Sequence, residues 1–318
     1  MKAAIADRLP YSLPLKHPWQ TSRGAVTQRD GQLYRLRATD GRIGWGDSAP
    51  WPAFGISQAA ASDFAEECAV LDLAAQRAGL PLNAWLSGDA PRREIAVNGM
   101  LGPLLQVSPA SIQESLLAGF KIVKIKVGNA PLDDEIRHLH QLGGALPAGI
   151  RLRFDANGAW SLPEAQQFLT ACTDLPVEGL EEPLRQPTLG DLTKLQAQVD
   201  FPLAIDESWH LIDPHFFNSP AVRRLIIKPP RHGSLLGSME IALRARSVGV
   251  ECIFTSSLES TCGLLAVAQL AAATAPEAVH GLATSRLFTS DTGIPPEIRQ
   301  GKLQLPEGDG VGFVFQAA

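Results

Sequence analysis

Residues Ile122–Asn157 read IVKIKVGNAPLDDEIRHLHQLGGALPAGIRLRFDAN, and they contain the repeating unit of the chain. The first seven letters, IVKIKVG, and the last seven, RLRFDAN, have the length and the apolar alternation of β-strands. Between them, Leu132–Leu142 has the apolar spacing of an amphipathic helix. A strand, a helix and a second strand at this spacing predict a parallel βαβ unit.

The same rhythm continues on both sides of this unit. Eight β-rich runs start 22 to 29 residues apart. They begin at Glu94, Ile122, Arg151, Val177, Pro202, Arg224, Cys252 and Ala278. Eight alternating units predict a modified (β/α)₈-type TIM barrel and favour it in preference to an open doubly wound sheet. No Gly-x-Gly-x-x-Gly follows the first run, which argues against a dinucleotide-binding fold.

Helical segments are expected between the runs. The remaining candidates are Ser111–Phe120, Ser161–Cys172, Ser234–Val248 and Thr261–Ala273. Ser161 and Glu164 have the spacing of a capping box, which predicts a helix start at that point.

The segments outside the barrel rhythm predict a second, α+β domain. Residues 1–92 contain a hairpin-like pair of runs around Asp40-Gly41 and a helical region, Ala59–Gly79; residues 285–318 contain a strand-like patch at Lys302–Leu305. We therefore expect residues 93–284 to form the barrel, with both flanks forming one cap. The Pro- and aromatic-rich segment Ala49–Ser57 is either a surface turn or a lid over the barrel mouth.

Composition excludes several function classes. The net charge of −5 offers no basic field for nucleic acid or an anionic membrane, and the N-terminus has no signal-peptide pattern. The four scattered cysteines form no CxxC pair and predict buried free thiols in a reducing compartment. We expect a cytoplasmic protein that does not contact membranes.

Charged residues collect at the predicted carboxyl ends of the strands, where barrel enzymes place their active sites. They are Lys124, Lys126, Arg153, Asp155, Glu181, Asp206 and Lys228, and the uncharged Asn157 lies two residues after Asp155. Because residues i and i+2 of a strand share a face, Lys124 and Lys126 should lie on one face of their strand. Arg153, Asp155 and Asn157 should likewise lie on one face of the next strand. Converging carboxylates need a cation, and oxygen ligands suit Mg²⁺ better than zinc. A lysine beside another lysine and a metal should have a lowered pKa. A single charged residue at a strand end is more often a capping group or part of a surface ion pair. The prediction of an active site therefore depends on all of these residues occurring together.

The pattern resembles the enolase superfamily, and within it the muconate-lactonizing-enzyme-like subgroup. The matching motifs are KIK at Lys124–Lys126, FDAN at Phe154–Asn157, EEP at Glu181–Pro183, DES at Asp206–Ser208, and Lys228. The resemblance implies Mg²⁺, for which Mn²⁺ can substitute, bound by Asp155, Glu181 and Asp206. It also implies that Lys126 is the base, that Lys124 contacts the substrate carboxylate, and that Lys228 lies on the opposite side. In this superfamily a Lys or His base works with Mg²⁺ on an ene-diolate.

Longer phrases resemble the o-succinylbenzoate synthase family. They include RDGQLYRLRATDGRIGWGDSAPWPAFG from Arg29 and TSSLESTCGL from Thr255. This likeness implies a lyase that removes water from a cyclohexadiene carboxylate in menaquinone or phylloquinone biosynthesis. Its substrate contacts would come from Thr255, Ser256, Ser257, Gly281, Asn157, Arg153 and Arg23. Strand-end hydrogen bonding is the ordinary alternative for the Ser/Thr run, and a place behind the metal ligands is the alternative for Arg153.

Two other readings stay open. The closest is an N-acylamino acid racemase or dipeptide epimerase that uses Lys126 and Lys228 on opposite faces. Dipeptide epimerases of this group carry acids at the end of strand eight, whereas His280–Thr284 contains none. Asp291 follows a few residues later and has no predicted place. A non-catalytic binding barrel would lack the metal or base residues, and all of them are present.

Overall fold

A computed structural model describes residues 3–21, 24–212 and 215–316. The chain begins with an antiparallel sheet of three strands in the order β1 (Ala3–Thr21), β2 (Gly24–Ala38) and β3 (Ile43–Ser48). The predicted turn at Asp40-Gly41 joins β2 to β3, and Gly41 has a φ of 87°. The long strand β1 was not predicted from the sequence.

Two helices pack beside this sheet, α1 (Gln58–Ala78) and α2 (Leu82–Ser87). Gly46 allows α1 to lie directly on β3, because a Cβ at that position would come 1.9 Å from the carbonyl oxygen of Ala65. A larger residue would push the helix away from the sheet.

The barrel sheet has seven parallel strands, which follow each other in chain order. They are β5 (Gly99–Pro103), β6 (Ile122–Lys126), β7 (Arg151–Asp155), β8 (Val177–Glu181), β9 (Leu203–Ile205), β10 (Arg224–Ile227) and β11 (Glu251–Phe254). The helices between and after them are α3 (Pro109–Leu117), α4 (Leu132–Gly143), α5 (Leu162–Ala171), α6 (Leu189–Gln196), α7 (Pro229–His232), α8 (Leu235–Ser247) and α9 (Thr261–Thr274). The curled α/β sheet confirms the predicted barrel class, and Ser161 and Glu164 form the predicted capping box.

The first predicted run divides into two strands. Its start, β4 (Glu94–Ala96), leaves the barrel and pairs with the C-terminal strand β13 (Lys302–Gln304), which in turn pairs with β12 (Ile298–Arg299). Only the second part of the run, β5, lies in the barrel sheet. The domain limits at residues 92/93 and 284/285 stay a prediction. The pairing of β4 with β13 joins the start of the predicted barrel segment to the C-terminal tail.

The eighth predicted run closes the barrel through isolated bridges and does not form a regular strand. His280 bridges Val97, and Gly281 bridges Thr255. The imidazole Nδ1 of His280 accepts a hydrogen bond from the backbone N–H of Phe254 at 3.1 Å, so the side chain takes a donor that a paired strand would otherwise use. Burial lowers the pKa of His280 to about 4, in keeping with a neutral ring whose Nε2–H donates to the carbonyl of Ala275.

Helix α9 joins the cap to the barrel. It is apolar on nearly all sides and buried over almost its whole length, as expected for a helix enclosed by other elements. It packs against β3 and α2 on the cap side and against β11 on the barrel side.

The four cysteines are buried and unpaired, as predicted. Within the described ranges, no helix is both long and apolar enough to cross a membrane.

Candidate active site

Strand register brings Lys126, Asp155 and Glu181 to one level of the barrel. Lys126 pairs with Asp155, and Asp155 pairs with Glu181, across three neighbouring parallel strands. Asp206 follows β9 directly, at the same end of the sheet. The carboxyl ends of β6 to β9 therefore present carboxylates and lysines to one shared space.

Two lysines approach these carboxylates from the β6 side. The ammonium of Lys124 lies 2.8 Å from a carboxylate oxygen of Asp155 and 2.8 Å from one of Glu181. The ammonium of Lys126 lies 2.6 Å from Asp155 and also donates to the side-chain carbonyl of Asn157. Because Lys126 keeps its side chain partly exposed, it is accessible from the barrel mouth.

Two cations approach from the opposite side. Lys228 donates to the carboxylate of Asp206, and Arg231 donates to the other oxygen of that carboxylate at 2.7 Å. Arg231 also donates to the backbone carbonyl of Asp206 at 2.8 Å. Arg231 was missed in the sequence analysis, although its place one helical turn after Lys228 is a usable signal.

Electrostatics separate the three carboxylates. Burial opposes ionisation of Asp155 and Asp206, but the neighbouring lysines outweigh it and hold both pKa values well below the usual range. Burial and repulsion from Asp155 instead raise the pKa of Glu181 to about 7. Burial would lower the pKa of Lys124, yet attraction to Asp155 and Glu181 raises it. The lowered pKa expected from the sequence concerns a lysine base beside a metal ion, and it stays a prediction.

The donor set fits Mg²⁺. Asp155, Glu181 and Asp206 offer hard oxygen ligands, and Glu181 Oε1 is buried with no hydrogen-bond partner among the described residues. In the part of the chain that the structure describes, no three acidic, histidine or cysteine side chains already converge into a closed ligand set. The lysine ammonium groups lie on these carboxylates, so a metal ion would have to displace them.

A neighbouring glutamate orients the Asp206 loop. Glu182 has a φ of 46°, and its carboxylate accepts hydrogen bonds from the backbone N–H groups of Asp206 at 2.8 Å and Ser208 at 3.2 Å. It also accepts from the Ser208 hydroxyl. Glu181 therefore faces the lysines, while Glu182 braces the next strand end.

Arg153 lies deeper in the barrel than expected for a substrate contact. Its guanidinium binds the carboxylate of Glu178 at 2.7 and 3.0 Å, and it also donates to Asn98 and to the carbonyl of Val279. Arg153 pairs with Gly179, one pleat below the level of Asp155 and Glu181. Its position does not support the predicted contact with the substrate.

The strand-seven loop supplies hydroxyls beside the site. The hydroxyls of Thr255 and Ser257 are buried without a partner among the described residues, so they are available to a ligand. The Ser256 hydroxyl instead donates to Glu259 at 2.6 Å. Gly281 lies against Thr255, where a Cβ would approach the Thr255 methyl group to 2.8 Å.

The other predicted substrate contacts are Asn157 and Arg23. Asn157 donates to Glu207 at 2.7 Å, in addition to its contact with Lys126. Arg23 lies outside the described residues. Gly55, within Ala49–Ser57, lies beside Arg231, with 3.6 Å between the position of a Cβ on Gly55 and Arg231 Nε. The segment thus runs next to the barrel mouth, which favours the lid interpretation.

Comparison with known proteins agrees with this geometry. Residues 109–318 match the family described as Enolase C-terminal domain-like. The o-succinylbenzoate synthase of Pectobacterium atrosepticum is 30% identical over 295 residues, which cover 87% of this chain and 89% of that protein. The L-Ala-D/L-Glu epimerase of Bacillus subtilis is 26% identical over 317 residues, covering 86% of this chain and 85% of that one.

A solved structure shows the same fold. The dipeptide epimerase from Enterococcus faecalis V583, complexed with Mg and the dipeptide L-Leu-L-Tyr, superposes with a TM-score of 0.87. It is 22% identical and covers 98% of this chain and 99% of its own. With the lysines and carboxylates at the strand ends and a family match over most of its length, the chain belongs to the enolase superfamily.

Proposed function

We propose that this enzyme is an o-succinylbenzoate synthase, a lyase that dehydrates 2-succinyl-6-hydroxy-2,4-cyclohexadiene-1-carboxylate to 2-succinylbenzoate. The observation that carries the proposal is the pair of buried hydroxyls that follow β11. The hydroxyls of Thr255 and Ser257 have no hydrogen-bond partner among the described residues, and His280–Thr284 contains no acid. Free hydroxyls can donate to a substrate carboxylate, and a strand-eight segment without an acid offers no counter-charge to an amine.

Asp291 lies a few residues after this segment. Its Oδ1 accepts hydrogen bonds from the backbone N–H of Thr261 at 2.8 Å and from its neighbour Thr292 at 2.7 Å. One oxygen of this carboxylate is therefore held at the start of α9, whereas Oδ2 is buried without a hydrogen-bond partner among the described residues.

The lysines divide the chemistry among them. Lys126 Nζ removes the α-proton, then returns a proton to the leaving hydroxyl, so that the C–H and C–O bonds break and water forms. Lys124 holds the substrate carboxylate from the same side, while Lys228 supplies positive charge from the other. When bound to Asp155, Glu181 and Asp206, Mg²⁺ would act as a Lewis acid that stabilises the negative charge of the ene-diolate.

An ultraviolet assay of the Mg²⁺-loaded protein tests the proposal. We expect rapid loss of the diene absorbance, and we expect the absorbance to remain stable when EDTA is added. Stable absorbance from a folded, metal-bound protein would reject the lyase assignment, and turnover unchanged in excess EDTA would reject the metal requirement.

Racemisation of N-acylamino acids is the second candidate, and dipeptide epimerisation is its variant. It is favoured by the placement of Lys126 and Lys228 on different carboxylates at opposite sides of the site. Incubation of candidate substrates in D₂O separates the reactions, because a racemase exchanges the α-proton with inversion and a lyase loses water.

We further propose that the enzyme acts in the cytoplasm on a small carboxylate, within menaquinone or phylloquinone biosynthesis. The four buried free thiols support a reducing compartment. Mn²⁺ is expected to replace Mg²⁺, because the ligands are all oxygen.

A further inference from the structure

Arg29 is a buried cation with an unusual set of partners. It lies on β2 of the cap and is only 5% exposed. Its Nε donates to the carbonyl of Leu258 at 3.3 Å, Nη1 to that of Pro50 at 3.3 Å, and Nη2 to that of Ala49 at 3.0 Å. The guanidinium also stacks on the ring of Trp51, 4.3 Å from its centre.

These carbonyls belong to two separate loops. Ala49 and Pro50 open the lid segment Ala49–Ser57, whereas Leu258 directly follows Ser256 and Ser257 in the strand-seven loop. The two loops come from the cap and the barrel, and one planar guanidinium bridges them. An arginine suits this task because its donors point in several fixed directions within a plane.

The strand-seven loop needs such support. Leu258 has a φ of 59°, a conformation that branched and bulky residues rarely adopt without help from their surroundings. The loop is also held by Glu259, whose carboxylate accepts from the backbone N–H of Ser257 at 2.7 Å. Asp47 of β3 accepts from both the N–H and the hydroxyl of Ser260.

Arg29 is not explained as an ordinary ion pair. Among the ion pairs between described residues, none includes Arg29, and its three hydrogen-bond acceptors are neutral carbonyls. Burying a charge without a direct counter-ion is costly, so a residue that only filled space here would be better replaced by an apolar one. Its directional contacts are the part that an apolar residue could not reproduce.

We propose that Arg29 is a positioning residue that joins the lid to the strand-seven loop and thereby sets the affinity for the substrate. The inference rests on the proposed function for its substrate and on the described contacts for its geometry. Arg29 touches none of the lysines or metal carboxylates through these bonds, so its loss should act on binding more than on the chemical step.

The test compares Arg29→Ala with Arg8→Ala. Arg8 also lies in the cap and stacks on an aromatic ring, that of Tyr34, but its side chain is 54% exposed and meets neither loop. For Arg29→Ala we expect KM to rise about tenfold, which corresponds to about 1.4 kcal/mol, and kcat to change much less. Guanidinium ion at about 20 mM, well below denaturing concentration, should partly restore KM in Arg29→Ala alone.

Hydrogen exchange of the protein without substrate provides an independent measurement. In Arg29→Ala, exchange should increase together in peptides covering residues 49–57 and 255–260, with little change in α8. Unchanged KM and unchanged exchange in these two peptides would overturn the proposal. If the wild-type enzyme does not convert the diene, the proposed function fails, while the exchange result still decides the role of Arg29.

Arg29→Lys keeps the test valid if the alanine variant does not fold. Lysine retains the charge and the aliphatic stem, but its single ammonium cannot span three carbonyls. We expect a raised KM and faster exchange in the same two peptides. Wild-type values of both in Arg29→Lys would contradict the proposal.

Discussion

The lysines and carboxylates at the strand ends show what alternation along a strand predicts and what it does not. The rule that residues i and i+2 share a face put Lys124 with Lys126, and the ammonium groups of both lie on Asp155 of the neighbouring strand. It also grouped Arg153 with Asp155, although two residues along a strand change the depth in the barrel by about 6.6 Å. Arg153 therefore serves a lower layer, where Glu178 binds it.

Replacing Lys126 tests the assignment of the base. Lys126→Ala should lower turnover by at least about 10²- to 10⁴-fold, because it removes the group that takes the α-proton. The fold should be retained, since this side chain is partly exposed and belongs to no apolar core. Circular dichroism and thermal unfolding check the fold, and the diene assay measures the rate.

The matched control is Lys194→Ala, which removes an exposed lysine that pairs with Asp191 on α6. It should keep wild-type turnover and nearly wild-type stability. Near-normal turnover in Lys126→Ala would remove this residue from the mechanism.

Helix N-termini are the points at which the cap is attached to the barrel. The carboxylate of Glu67, on α1, accepts hydrogen bonds from Ser234 Oγ at 3.0 Å and from the first backbone N–H groups of α8. Asp47 and Asp291 do the same at the start of α9. Negative charge is favourable at the positive end of a helix dipole, so each contact both caps a helix and ties two parts of the fold together.

Neutralising Glu67 should loosen this attachment. Glu67→Gln keeps the shape but removes the charge, and we expect a loss of about 1 kcal/mol in the free energy of unfolding. The control is Glu66→Gln; the Glu66 side chain is 51% exposed, and its one ion pair among the described residues is with Arg8 at 3.8 Å. Urea unfolding of both variants measures the difference; equal stabilities would show that the cap carboxylate contributes nothing.

The elements that the sequence did not predict depend on partners far away in the chain. Periodicity located most of the barrel strands and the predicted helices, because each shows a local apolar pattern. It could not show that Glu94–Ala96 pairs with Lys302–Gln304 rather than with the barrel. Nor could it show that the ring nitrogen of His280 accepts a hydrogen bond from Phe254, or that His280 pairs with Val97 through an isolated bridge. Arg29 opens one of the family-like phrases, but its bridge between two loops is visible only in the folded structure.

The barrel as a whole is crossed by a buried charge network below the active site. Glu178 on β8 binds Arg153 on β7 and Arg224 on β10, and Arg153 reaches Val279 at the closing segment. Burial alone would raise the pKa of Glu178, but its hydrogen bonds and ion pairs with the two arginines outweigh this and lower it to about 2. The network therefore connects β7, β8 and β10 with the segment that closes the barrel.

Acid should weaken this network. Glu178 has a lower pKa in the folded protein than its ordinary value of 4.5, so its ionised form stabilises the fold above about pH 4.5. That contribution is lost as the pH falls from about 4.5 towards 2. Glu178→Gln should cost about 3 to 5 kcal/mol at pH 7, because two buried arginines lose their shared counter-charge.

Urea unfolding of the wild type and Glu178→Gln between pH 7 and pH 3 measures the effect. The difference in unfolding free energy should shrink as the pH falls. A difference that stays constant over this range would show that the network does not titrate with folding. Arg151→Gln, at the exposed start of β7, serves as the charge control.

The pairing of β4 with β13 has a consequence for synthesis on the ribosome. The segment that β4 needs, and the acid at position 291 that caps α9, are both translated after every strand of the barrel. The N-terminal sheet and α1 thus leave the ribosome early, but the C-terminal residues that pack against them are synthesised last. A nascent chain stalled before β12 would contain all the barrel strands but an incomplete cap. The edge of β4 would then be open to pairing with other chains.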